Sequence, residues 1–259
     1  MDIPIYQVDA FASEVFTGNP AAVCPLDAWL SDGLMQAIAL ENNLSETAFI
    51  VKQGADFDLR WFTPASEVDL CGHATLGSAY VIANYLEPGR DEVRFHSRSG
   101  LLTVTRAGDW YTLDFPSLPS APAPVDEAVI GALGAAPAEV KVGQDLMAVF
   151  ETEAQVRALA PDMGRVAALE VRGVIATAPG EACDFVSRFF APRGGIPEDP
   201  VTGSAHCQLA PYWAARLDKT NLDARQISRR GGALKVEDRG ARVLISGRVA
   251  PYMEGVIRV

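Results

Sequence analysis

Asp56-Phe57-Asp58-Leu59-Arg60-Trp61-Phe62-Thr63-Pro64 returns later in the chain as Asp184-Phe185-Val186-Ser187-Arg188-Phe189-Phe190-Ala191-Pro192, with Asp, Phe, Arg, Phe and Pro coinciding at a constant offset of 128. Beyond it, Cys71-Gly72-His73-Ala74 falls on Thr202-Gly203-Ser204-Ala205 at an offset of 131, and Arg98 to Val104 echoes Arg230 to Val236 at 132. Separated matches at a nearly fixed offset, about half the chain, describe one fold duplicated, with equivalent turns brought together across a pseudo-twofold axis. Four prolines between Pro116 and Pro124 form the one clear linker. The expected domains are therefore residues 1–116 and residues 117–259, with the C-terminal strand free to pack back onto the first.

Around this repeat, the elements follow from pattern. Ile3 to Phe11 reads as a strand entering a turn at Thr17-Gly18-Asn19-Pro20, and Ala21 to Cys24 as a second strand. Ser31 is a helix N-cap for Leu34 to Glu41. The run Thr47 to Val51 has strand character and sets Glu46 at its mouth. Ala74 to Leu86, apolar nearly all round, predicts a helix buried on most faces. Strands over Val93–Phe95, Leu101–Thr105 and Trp110–Phe115 close the first half. The second half predicts helices over Asp126–Gly134 and Glu153–Leu159, strands over Val140–Val142, Leu146–Phe150, Gly173–Thr177 and Phe185–Phe190, then a helix through His206, Leu209 and Trp213. Closing strands are expected at Gln226–Ser228, Ala233–Glu237, Arg242–Ser246 and Val256–Val259. The fold class is α+β: two pseudo-symmetric domains, each a curved, mostly antiparallel sheet or barrel around an inner helix.

Composition limits the function. The chain has 259 residues, 49% hydrophobic and 21% charged, and no apolar run long enough for a membrane span. A formal net charge of −11 argues against nucleic acid or an anionic membrane as partner, because both need a positive field. Four dispersed cysteines without a CxxC pair, and an N-terminus without a basic or apolar export region, fit reduced thiols in a cytoplasm. There is no GxxxxGK[ST], no GxGxxG after a strand, no HExxH and no paired-cysteine metal spacing. A metal or nucleotide enzyme is not expected.

Symmetry points to the chemistry. A cleft between duplicated halves would collect two helix N-termini, whose free N–H groups and positive dipole ends suit a small carboxylate or an enolate-like anion. Gly72 and Gly203 let the backbone approach such a ligand. His73 and Ser204 follow those glycines, Asp199 precedes the second turn, and Cys71 precedes the first, where a helix N-terminus lowers a thiol's pKa. Each has a plainer reading: Asp199 and Ser204 as turn and cap residues, His73 as a cap of its own helix, Glu46 as a solvated strand end, Cys71 as an inert small residue.

Ser45-Glu46-Thr47-Ala48-Phe49, Phe62-Thr63-Pro64, Glu67 to Thr75 and Glu198-Asp199-Pro200-Val201-Thr202-Gly203-Ser204-Ala205-His206 together resemble the PhzF-like (phenazine biosynthesis) family of the diaminopimelate-epimerase fold superfamily. Gln7 to Phe11 and Gly18-Asn19-Pro20-Ala21 are similar too, so the resemblance covers essentially the whole chain. It implies an active site between the domains, no metal, no cofactor and a homodimer. In the family's isomerase a glutamate matching Glu46 moves a proton between carbons of trans-2,3-dihydro-3-hydroxyanthranilate, while residues matching His73, Asp199 and Ser204 hold the substrate and assist. Related epimerases use one cysteine per half. This chain has Cys71 in the first slot and Thr202 in the second, and a hydroxyl is far too weak an acid or base to replace a thiol near neutral pH.

The leading expectation is a cofactor-independent isomerase that moves a proton on a small carboxylate-bearing substrate, with Glu46 as general acid/base. A one-thiol amino-acid epimerase or racemase using Cys71, and a small-molecule binding protein that turns nothing over, remain open beside it.

Overall fold

The computed structural model describes residues 1–259. In chain order its first half holds β1 (Asp2–Ala10), β2 (Asn19–Leu26), α1 (Asp32–Asn42), β3 (Glu46–Gln53), β4 (Asp56–Phe62), β5 (Glu67–Val68), α2 (Gly72–Val81), β6 (Glu92–Ser97), β7 (Gly100–Ala107) and β8 (Trp110–Pro116). Then follow β9 (Ala121–Ala123), α3 (Glu127–Leu133), β10 (Glu139–Val142), β11 (Leu146–Val149), α4 (Glu153–Ala158), α5 (Met163–Ala168), β12 (Val174–Pro179), β13 (Phe185–Ala191) and β14 (Ile196–Asp199). The chain closes with α6 (Gly203–Leu217), β15 (Asn221–Gln226), β16 (Gly232–Asp238), β17 (Arg242–Gly247) and β18 (Val249–Arg258). It forms two compact units, Met1–Asp114 with Ser246–Val259, and Phe115–Ile245.

Each unit is a mostly antiparallel sheet around an inner helix, and the pairings repeat. In the first, β1 is antiparallel to β18 and β2, β2 runs parallel to β3, and β3 is antiparallel to β4; β4 then meets β5 antiparallel and β6 parallel, and β6 continues to β7 and β8. In the second, β10 is antiparallel to β9 and β11, β11 runs parallel to β12, and β12 is antiparallel to β13; β13 meets β14 antiparallel and β15 parallel, and β15 continues to β16. The parallel steps are the ones bridged by helices, as parallel strands require. By this correspondence β18 does for β1 what β9 does for β10.

The inner helices explain the small, apolar sequences after each glycine. All but Gly72 and Tyr80 of α2 are buried, and a Cβ added at Gly77 would lie 2.8 Å from the Val8 side chain, so the helix touches β1 closely enough to need glycine there. Thr75 and Ser78 satisfy their buried hydroxyls on the carbonyls of Cys71 and Ala74, four residues back. In α6, Trp213 stacks on Phe185 and donates its indole N–H to Thr177 Oγ1 at 3.0 Å. Ile5, Met35, Ile38, Phe49 and Phe62 form a core in the first unit, and Val129, Leu133, Phe150, Val174 and Phe190 one in the second.

Several elements depart from the sequence reading. The helix expected over Ala74–Leu86 is α-helical only to Val81, then widens into a π-helical turn over Ile82–Leu86, closed by the Glu87 N–H on the Ile82 carbonyl. The proline linker contains β9, and the last strand begins at Val249 rather than Val256. A strand sits at Asn221–Gln226, not Gln226–Ser228. Its inward residues are only Leu222, Ala224 and Gln226, too weak an apolar alternation to read. The short helix α5 lacked enough turns to show a period.

One pair of side chains records the duplication. Arg60 in β4 grips Glu67 with Nε and Nη2 at 2.7 and 2.8 Å, and Arg188 in β13 grips Glu198 at 2.7 and 3.0 Å. Each guanidinium also lies over a following phenylalanine, Phe62 at 5.2 Å and Phe190 at 4.9 Å. The Arg and Glu offsets, 128 and 131, are those of the sequence repeat.

Candidate active site

In the first unit, three expected site residues meet. Glu46 opens β3, opposite Ala21 of β2, while Cys71 and His73 flank Gly72 at the start of α2. Their residues are 9%, 6% and 5% exposed. His73 Nε2 lies 3.1 Å from Glu46 Oε2, and Nδ1 of the same ring lies 3.5 Å from Cys71 Sγ and 3.3 Å from Asn19 Nδ2. The approach of Nε2 and Oε2 pairs them as charges without the alignment of a hydrogen bond, and neither atom has a hydrogen-bond partner. Cys71 is the N-cap residue of α2 by conformation, but its side chain caps nothing. His73 points to Glu46 and Cys71, which rules out the cap role.

The electrostatics follow from burial. Cys71 is pushed up to about 11, first by burial and then by the nearby Glu46, despite the helix N-terminus that the sequence reading expected to lower it. Burial alone would depress His73, yet the neighbouring Cys71 and Glu46 outweigh it and hold the ring well above its ordinary value.

In the second unit, Asp199 ends β14 and accepts the Thr202 hydroxyl at 2.5 Å. Gln226 fixes this turn, accepting the Thr202 N–H at 2.8 Å and donating to the Asp199 carbonyl at 2.7 Å and Thr202 Oγ1 at 3.1 Å. Thr202 is the N-cap residue of α6 and, like Cys71, makes no side-chain cap bond. His206 Nδ1 donates to the Thr202 carbonyl at 2.8 Å, and burial depresses its ring to about 4, so it is neutral. Ser204, in the first turn of α6, accepts from Arg172 Nη2 at 3.2 Å. Arg172 is held by the buried Asp145 through Nε at 2.9 Å and Nη2 at 2.5 Å, and Gln208 holds the Asp145 backbone through both N–H and C=O. Since guanidinium only donates, Ser204 Oγ receives here and its own hydrogen points elsewhere.

Registers show how the halves differ. Phe62 faces Thr47, and its counterpart Phe190 faces Val174, so the counterpart of Glu46 is Gly173. A Cβ there would lie 2.2 Å from the Phe189 ring. The second unit thus has no carboxylate at that position, and Arg172 stands next to it. Sequence reasoning missed Asn19, Asp145, Arg172, Gln208 and Gln226 as site-shaping residues. Asn19 sat within a quoted motif, whereas the other four lie in segments with no local signal.

A family model described as phenazine biosynthesis-like protein matches residues 8–255. The chain belongs to the PhzC-PhzF family. A Pseudomonas aeruginosa protein that carries the name uncharacterized isomerase is 53% identical over 259 residues, with 100% of both chains covered. A solved PhzF-family phenazine biosynthesis protein from Enterococcus faecalis is 48% identical and superposes with a TM-score of 0.98 over 100% of both chains. A hydroxyproline epimerase from Agrobacterium vitis, solved with bound trans-4-hydroxy-L-proline, is 12% identical with a TM-score of 0.65, over 99% of this chain and 92% of that one. At that distance the likeness is one of fold: the PhzC-PhzF chain has the architecture of the epimerases. No helix is long and apolar enough to cross a membrane.

Proposed function

We propose that this protein is an isomerase that moves a proton on a small carboxylate-bearing substrate without a metal or organic cofactor, with Glu46 as the general acid/base. The observation that carries the reading is the buried Glu46 Oε2, which has no hydrogen-bond partner and only the unaligned His73 Nε2 beside it. A buried carboxylate oxygen with so few partners costs stability and calls for an explanation, a catalytic role among them. Family membership and the isomerase name of the Pseudomonas relative support the reaction class.

In this scheme Glu46 takes a proton from carbon next to an unsaturated or carbonyl-activated centre and returns it to another carbon of the same molecule. The His73 imidazolium stabilises the carboxylate before transfer and the negative charge that spreads over the substrate afterwards. Cys71, a neutral thiol near pH 7, packs against the ring. Asp199 and Ser204 are the substrate contacts of this proposal, Ser204 offering the hydrogen that Arg172 leaves free, and Gly72 lets the backbone come close to the substrate. The working form is a homodimer in the cytoplasm. Incorporation of solvent deuterium into a panel of cyclic unsaturated acids and amino acids tests the reaction: deuterium at carbon that survives added chelator supports it. Loss of exchange with chelator and recovery with a divalent cation overturns the cofactor-free part, and no exchange with any substrate leaves a binding protein.

A further inference from the structure

We infer that Glu46, Cys71 and His73 form a capture site for a thiophilic divalent cation such as zinc, which inhibits the protein by occupying the group that moves the proton. Oxygen, nitrogen and sulfur donors from these three residues all lie within 4.8 Å of one another. This goes beyond the proposed reaction, which uses no metal: the site stands on the geometry of the cluster, and the inhibition rests on the role proposed for Glu46.

The donor set has the chemistry of a zinc site. Zinc takes Cys sulfur at about 2.3 Å, His nitrogen at about 2.0–2.1 Å and carboxylate oxygen at about 2.0–2.2 Å, in a tetrahedron. Those lengths separate N and O donors by roughly 3.4 Å. The Nε2–Oε2 separation of 3.1 Å is already close to this. Cys71 Sγ rests 3.5 Å from Nδ1, and with all three donors within 4.8 Å of one another its side chain has to turn to share one cation. A second observation points to a ligand: Glu46 Oε2 and His73 Nε2 are both buried without a hydrogen-bond partner, on residues more than nine-tenths buried. The other ring nitrogen has its outer partner, because the Asn19 amide lies 3.3 Å from Nδ1 and can present its oxygen after a flip. Three protein donors leave a fourth position open to water, the arrangement of an exchangeable rather than a closed structural site.

Binding is coupled to protons. The Cys71 thiol forms a bond to the cation as its S–H bond breaks, and that proton passes to the buffer with any carried by the His73 nitrogen that becomes a ligand. Affinity therefore rises with pH.

Cobalt(II) is the probe, added to chelator-treated full-length protein without substrate. Wild type is expected to bind one equivalent, with a near-ultraviolet thiolate-to-cobalt band, visible bands of tetrahedral intensity, proton release, and displacement by zinc. Cys71→Ser should lose the thiolate band and bind more weakly by at least about 10-fold, as should Glu46→Gln, which retains the band. Cys183→Ser, at a half-buried thiol in the other unit, should leave the spectrum unchanged. Circular dichroism establishes that each variant is folded; should Cys71→Ser not fold, Glu46→Gln and the wild-type thiolate band decide. Cobalt binding without a thiolate band, affinity unchanged in Glu46→Gln, or a spectrum that depends on Cys183 overturns the inference. Solvent-deuterium exchange is measured separately, so failure to bind cobalt leaves the isomerase reading intact, and failure to exchange leaves the metal site standing.

Discussion

His73 places Nε2 3.1 Å from Glu46 Oε2 and Nδ1 3.5 Å from Cys71 Sγ, so a single imidazole joins the two groups on which rival proton-transfer schemes depend. The schemes separate by mutation. Glu46→Gln keeps shape and reach but removes the titrating group, and is expected to lower deuterium exchange and turnover by about 10²–10⁴-fold. Cys71→Ser should change them only modestly, because a thiol at about 11 is protonated at working pH and a poor base. The reverse pattern, with inactivation by alkylating agents and protection by substrate, would assign the proton to Cys71.

Arg172 donates to Ser204 Oγ at 3.2 Å, so under the proposed function it would act through Ser204. Arg172→Lys removes the two-point grip on Asp145 and the contact that fixes the Ser204 hydroxyl. KM is expected to rise by about 10-fold, ~1.4 kcal/mol of binding, with kcat much less affected. Asp145→Asn should move KM in the same direction. A change in melting temperature with unaltered KM would show that the pair only supports the fold.

Acid sensitivity is expected from His206. Its folded pKa is depressed to about 4 by burial, against an ordinary 6.5, so between those values the unfolded chain binds a proton that the folded chain refuses. Its contribution is complete above about pH 6.5 and declines as pH falls to about 4, a loss of about 3 kcal/mol. His73 has the opposite sign: raised in the folded state, its stabilisation is full below about 6.5 and is lost as pH climbs through the higher folded value. Urea unfolding from pH 7 to pH 4 should be less pH-dependent in His206→Gln than in wild type, whatever constant packing loss the variant carries. Equal slopes would remove His206 as the source.

The paired arginines should not be equivalent in stability. Arg60 meets Glu67 and the exposed Asp32, whereas Arg188 also donates to the carbonyls of Val156 and Leu159, tying the end of α4 to β13. Arg188→Met is therefore expected to cost about 3–5 kcal/mol by leaving Glu198 and two carbonyls without their partner, and Arg60→Met less. Chemical denaturation of both variants measures the difference, and equal losses would reject the role given to α4.

The repeat was legible because the same physical device, an arginine gripping a glutamate across a strand and hairpin, forces the same residues into both halves. The first inner helix was legible through its all-round apolar faces, and the nearness of Glu46 and His73 through motif spacing. Asp145, Arg172 and Gln208 were not, because they meet through tertiary contacts across 27 to 63 residues of sequence. The raised thiol at Cys71 was misread for a related reason: a helix N-terminus is visible in sequence, but the burial that overrides it is not. β9 was hidden in its prolines, since Ala121-Pro122-Ala123 has no alternation to betray a strand.

The pairing of β18 with β1 along nearly its whole length has a consequence for how the protein is made. Synthesis delivers residues 1–114 first, yet the sheet they form has a vacant edge until residues 249–258 leave the ribosome, after the whole second unit. The half that is born first is finished last. Until then β1 offers a row of unsatisfied backbone groups to any passing strand, an edge that pairing with residues 249–258 closes.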